Sequence, residues 1–171
     1  MVDKFVVGCY GIVFDAGRLL MVRQQSGLWA KKWTAPGGIM KTGDSFEKCV
    51  ENEILLKTAC RVRAKKWIMT TPYNTNGSLF EKHIVIYFYL CSLIEKPDAY
   101  RNDGSIIWVD KEGFDRICES GSIPVQVLNA ISAINPKKDR TWHQNGGPVS
   151  TSPTLNGLKL MQSIRQPKLE P

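Results

Sequence analysis

The chain has 171 residues, 43% of them apolar, and a formal net charge of +7. That is enough chain to bury a hydrophobic core, which excludes a small scaffold dependent on disulfide or metal staples. The five cysteines (Cys9, Cys49, Cys60, Cys91 and Cys118) are odd in number and form no CxxC pair, a pattern that argues against a disulfide framework and for reduced, packed thiols in a cytoplasmic protein.

From the N-terminus, "FVVGCYGIVF" and "RLLMVRQ" flank the turn signal "DAG" and predict a β-hairpin. Gly8 and Gly11 interrupt the first run and Asp15 ends it. It is too short for a span of about 20 apolar residues and lacks the basic start of a signal peptide, so no membrane contact is expected. "GLWAKKWTAPGG" follows, with Trp29 and Trp33 near a turn at Pro36-Gly37-Gly38. A helix is expected next, capped by Asp44 with Glu47 in capping-box spacing. Phe46, Val50 and Ile54 recur every four residues as one buried stripe, with Cys49 beside it; Glu47 and Glu51 are expected to face water.

Three further strands are predicted at "KKWIMTTPY", "HIVIYFYLCSL" and "SIIWV". The second is a nearly continuous apolar run rich in β-branched and aromatic residues, as a central strand buried on both faces would be. "VDKEGFDRICES" predicts a helix weakened by Gly113, and "PVQVLNAISAI" a better one, with Pro124 in its first turn and Val127, Leu128, Ile131 and Ile134 on one face. Past Asn135 the composition turns to Gly, Pro, Ser and Thr, and residues 135–171 carry +4 of the net charge. The reading is a domain over 1–134 and a basic, disordered tail over 135–171. Such a tail holds nucleic acid or an acidic partner only by weak, screened attraction. Strands, a helix, strands and then helices are satisfied by an α/β fold with a mixed sheet between helices.

The stretch "PGGIMKTGDSFEKCVENEILLKTAC" resembles the box of the Nudix hydrolases, G-x5-E-x7-R-E-U-x-E-E-x-G-U, in frame from Gly38 to Cys60. "WTAPGG" and "SIIWVDKEGFDRI" look like the family's segments before and after it. The resemblance implies the Nudix α/β/α sandwich. Gly38, Glu53 and Ile54 match the box, and Asp44 stands at its first Glu. Asn52 replaces the Arg, Ala59 the Gly and Cys60 the last apolar residue. Leu56 and Lys57 occupy the places of two Glu that the family uses as magnesium ligands.

A helix turns about 100° per residue, so positions 53, 56 and 57 share one sector. Three carboxylates there would offer hard oxygens to Mg²⁺; one carboxylate, one alkyl group and one ammonium reduce the sector's formal charge from −3 to zero. Metal affinity is expected to fall by about two decades or more. Glu53 and Lys57 have the spacing of a helical ion pair; alternatively, the Lys57 ammonium points at a bound phosphate.

By that resemblance, Glu53 is the candidate catalytic residue and metal ligand, Asp44 a weaker metal ligand, and Asp103 a rescuing base from a late loop that also holds Asp98. Arg23, Trp33, Gly37, Gly38, Lys57 and Tyr73 are the candidate substrate-binding residues, with Lys31, Lys32 and Trp29 as further cleft candidates. His83 and His143 have no metal-ligand spacing. The expected ligand is a nucleotide or other organic diphosphate, selected by loops around 70–82 and 95–104, with Mg weakly bound at most.

Three functions fit these residues. One is a pseudoenzyme that keeps the diphosphate pocket but hydrolyses weakly or not at all. Another is an active hydrolase of nucleoside diphosphates linked to another moiety, using a rearranged metal site. The last is a non-hydrolytic acid–base enzyme of isomerase or cyclase type, with Glu53 as proton carrier.

Overall fold

A computed structural model describes residues 5–74, 83–100 and 103–134. The expected tail, His143 and most of the loop around 70–82 lie outside the described residues. Strand β1 (Phe5–Asp15) turns directly into β2 (Arg18–Arg23). The turn residues Ala16 and Gly17 have φ of 47° and 72°, the left-handed pair that matches the twist of a two-residue hairpin. The two strands then diverge: β1 and β2 pair at Phe14↔Leu19 and Asp15↔Arg18. The segment of β3 (Trp33–Thr34) and β4 (Gly37–Ile39) fills the fork. Here β3 pairs with β2 at Val22↔Thr34, and β4 pairs with β1 at Tyr10↔Gly37. At the base of the fork the Gly11 N–H donates to the Pro36 carbonyl at 2.9 Å.

Helix α1 (Phe46–Thr58) follows, then β5 (Arg61–Asn74), β6 (His83–Glu95) and β7 (Ile106–Val109), and helices α2 (Lys111–Glu119) and α3 (Val125–Ser132). The sheet runs β3-β2-β1-β6-β5, with β4 on β1 and β7 on β2. β6 lies parallel to β1 and antiparallel to β5, so the sheet is mixed. Alternation along β1 separates two cores. Cys9 and Val13 pack with Val50, Ile54, Tyr89 and Cys91 beneath α1. Tyr10 and Ile12 pack with Ile86, Phe88, Phe114 and Val127 beneath α2 and α3. This is the expected α/β/α sandwich, and β6 is buried on both faces as its composition required. On the α1 side the approach is so close that a β-carbon at Gly11 would stand 2.5 Å from Ile54 Cδ1.

Two expectations about α1 are corrected. Its N-cap is Ser45, whose hydroxyl accepts from the Lys48 N–H at 3.1 Å; Asp44 lies one residue too early and stands 3.9 Å from the Lys48 ammonium. Glu47 and Glu51 do not simply face water: Glu51 accepts from the Ala64 N–H at 2.9 Å and Glu47 from the Tyr89 hydroxyl at 3.2 Å. The two acids tie α1 to β5 and β6.

Helix α1 ends at Ala59 with φ 57°, its N–H donating to the Leu55 carbonyl at 2.8 Å. A β-carbon costs about 1–2 kcal/mol in that conformation, partly offset by the freedom that glycine adds to the unfolded chain. The exposed Ala59→Gly variant is therefore expected to gain roughly 0.5–1 kcal/mol in urea denaturation. Equal or lower stability would show that the cap is unstrained.

Candidate functional site

Gly37 and Gly38 were expected in a turn. They lie instead in β4, and neither has a positive φ. What glycine supplies here is closeness. A β-carbon on Gly37 would stand 2.3 Å from the Cys9 carbonyl oxygen and 2.5 Å from Tyr10 Cα; on Gly38 it would stand 2.0 Å from Glu53 Oε2. The missing side chains let the polar face of α1 settle onto β4.

Three side chains of that face end differently. Glu53 is half-buried, with its carboxylate against Gly38. Lys57 is half-buried, and its ammonium donates to the Gly37 carbonyl. Leu56 is 67% exposed. The i,i+4 ion pair between Glu53 and Lys57 does not form, because the ammonium turns to the carbonyl. Burial lowers the pKa of Lys57 from the ordinary lysine value, and the charge of Glu53 opposes that shift.

The sequence reading missed Tyr10. Burial, then the Glu53 charge, pushes its phenol up to about 12, so it is neutral at physiological pH. Its place became apparent only through the β1–β4 pairing, which sets it opposite Gly37. The thiols of Cys9 and Cys49 are also buried, and burial raises both above the ordinary thiol range. Thiols held neutral in this way are packing groups rather than nucleophiles.

A divalent ion of the Mg²⁺ type wants near-octahedral oxygen coordination. Among the described residues, the face of positions 53, 56 and 57 offers few such oxygens. Glu53 offers one carboxylate, the Gly37 carbonyl already accepts the Lys57 ammonium, and Leu56 offers nothing. Among the described residues no group of three or more His, Cys, Asp or Glu side chains could hold a metal ion.

Arg23 and Asp103 form a separate group. Together with Gln24, Gln25, Lys31, Gly104 and Ser105 they line a half-open cleft of about 500 Å³. The Arg23 N–H donates to the Ser105 carbonyl at 2.7 Å, and Asp103 accepts from the Ser105 N–H at 2.9 Å and hydroxyl at 2.5 Å. Trp33 is the ladder partner of Arg23 and packs, like Tyr73, against the α2/α3 core. Trp29 is a core residue, 5.0 Å from Tyr10 and 6.3 Å from Tyr73 between ring centres, and its indole N–H has no hydrogen-bond partner among the described residues. Lys32 donates to the Gly121 carbonyl at 2.8 Å, Asp98 is exposed, and His83 stacks on Phe5 at 5.4 Å. Among the described residues no helix is long and apolar enough to cross a membrane.

Comparison with solved structures finds the same fold repeatedly. A NUDIX hydrolase from Nitrosomonas europaea superposes with a TM-score of 0.61 at 16% identity, over 76% of this chain and 88% of that one. A MutT NUDIX hydrolase from Burkholderia pseudomallei gives 0.57 at 19% identity, over 78% and 100%. A bifunctional NMN adenylyltransferase/ADP ribose pyrophosphatase from Francisella tularensis, complexed with AMP and a manganese ion, gives 0.52 at 12% identity, over 77% of this chain and 41% of that one. Sequence comparison with curated proteins finds no match. The family model described as the NUDIX domain matches residues 4–119, more than half of the chain, and with the α/β/α sandwich in place the chain belongs to the Nudix family.

Proposed function

We propose that the chain recognises a nucleotide-type organic diphosphate at the face shared by Gly37, Gly38 and α1, and that it does so without a divalent metal. The carrying observation is the Lys57 ammonium on the Gly37 carbonyl, beside the Glu53 carboxylate. A tethered, partly dehydrated ammonium is a compact point charge, suited to a phosphate oxygen. Mg-dependent pyrophosphohydrolysis is weak or lost in this reading, because Leu56 and Lys57 leave too few oxygens. In the same reading Arg23, with Trp33 beside it, and the half-buried Tyr73 serve the rest of the ligand. The proposed ligand class follows that of one fold neighbour, of which this chain covers 41%, which is complexed with AMP and a manganese ion.

Thermal shift with ADP-ribose and with inorganic pyrophosphate, in EDTA and in Mg²⁺, tests the proposal. Stabilisation is expected in EDTA, undiminished relative to Mg²⁺, and Lys57→Met is expected to weaken it by about tenfold or more in Kd. The sign with pH follows from the lowered pKa of Lys57. Binding should be full where the ammonium is charged and should fade on raising the pH before an ordinary lysine, near 10.4, would discharge.

A second reading, an active hydrolase with a rearranged metal site, has Asp103 in its favour, since that carboxylate lines the cleft with Arg23. Brisk Mg²⁺-dependent pyrophosphohydrolysis by the natural chain, abolished by Glu53→Gln, would establish it and overturn the first.

A further inference from the structure

Strand β5 is the outer strand of the described sheet, hydrogen-bonded to β6. Its first half reads RVRAKKW. Val62 and Ala64 pack beneath α1, while Arg61, Arg63, Lys65, Lys66 and Trp67 are exposed. Register shifts between Ala64 and Lys66 and between Trp67 and Met69 break the alternation, so Lys65, Lys66 and Trp67 stand in water in succession.

Charges and bulges on an outer strand have an ordinary purpose, which is to stop another chain from adding to the sheet. Trp67 does not serve that purpose. Its side chain is 55% exposed, and so large an apolar ring invites the contact that the lysines discourage. The indole N–H donates to the Thr70 hydroxyl at 3.0 Å, which holds the ring in place. Acids stand near the two arginines. Arg61 lies 3.5 Å from Glu95, with both side chains about two-thirds exposed, and Arg63 lies 3.8 Å from Glu51. The Arg61–Glu95 pair, exposed on both sides, is weak and screened.

We infer that this edge is a second binding site, for single-stranded nucleic acid, in which Arg61, Arg63, Lys65 and Lys66 take phosphates and Trp67 stacks a base. Cations following a backbone, with an aromatic ring among them, are what such a strand requires. From Arg61 to Trp67 the edge runs about 20 Å, which suits the short end of single-stranded sites, about four nucleotides. An acidic peptide added as a further strand fits less well, because the two bulges interrupt the ladder it would need. The site is independent of the glycine face: β6 and β1 lie between β5 and β4, about 14 Å across the sheet.

Fluorescence anisotropy of a labelled oligothymidylate of about 12 nucleotides with the full chain, in EDTA and over roughly 50–200 mM salt, tests the inference. Affinity is expected to fall steeply with salt. Lys65→Gln with Lys66→Gln should reduce the log–log slope by about 1.4, at about 0.7 per phosphate contact on a single strand. Trp67→Ala should weaken binding about tenfold, and Trp67→Phe should keep most of it, since only an aromatic ring can stack. Absence of binding would overturn the inference. So would binding that none of these variants alters, because other cations would then carry it. A polyglutamate that competes equally well and is equally weakened by Trp67→Ala would overturn it in favour of an acidic-peptide surface.

Discussion

Changing Leu56→Glu and Lys57→Glu together is expected to raise Mg²⁺ affinity by about two decades or more and to create or strongly increase Mg²⁺-dependent pyrophosphohydrolysis. Leu56 is 67% exposed, so a carboxylate there loses no packing. Removing the Lys57 ammonium frees the Gly37 carbonyl and takes a positive charge from beside Glu53. The face would then offer three carboxylates where it now offers one. A unit-charge pair at about 4 Å is worth about 4 kcal/mol at an effective dielectric of 20, and even a heavy discount for solvent leaves more than the 1.4 kcal/mol of a decade. The measurement is thermal stabilisation by Mg²⁺ alone, followed by product release from ADP-ribose. A folded double variant indifferent to Mg²⁺ would show that this face of α1 is not where a metal is lost or gained.

Gly37→Ala is expected to destabilise the chain by about 3 kcal/mol, whereas Gly38→Ala costs about 1 kcal/mol or less. The difference lies in what each new β-carbon meets. At Gly37 it meets backbone, the Cys9 oxygen at 2.3 Å and Tyr10 Cα at 2.5 Å, so relief requires β4 to leave β1. At Gly38 it meets the far end of Glu53, with Oε2 at 2.0 Å and Cγ at 3.0 Å, and a flexible side chain can swing away. Urea denaturation of the two variants measures the contrast; equal losses would mean that Glu53 is held as rigidly as the strand. Because Gly38→Ala moves the carboxylate while sparing the fold, it also reports on ligand binding without confounding by stability.

Sequence alone determined the family and the order of the longer elements, but not the short strands β3 and β4, where it predicted a turn. The DAG hairpin and the nearly continuous apolar run of β6 are local signals, read from residue type and spacing, and both hold. It also determined which side chains α1 could present, because helical geometry fixes that positions 53, 56 and 57 lie together. Local spacing could not decide what those side chains touch. Whether Lys57 pairs with Glu53 or with a carbonyl depends on β4 lying beneath the helix, and β4 is held there by β1, about thirty residues earlier in the chain. Separation along the chain also hid Tyr10, and it hid the anchoring roles of Glu47 and Glu51, whose partners lie on β6 and β5. Ser45 displaced Asp44 as cap by one residue, a choice set by where the chain enters the helix from β4. The reason is common to all of these: backbone preferences act over a few residues, whereas a polar side chain takes its partner from whatever the sheet brings within about 3 Å.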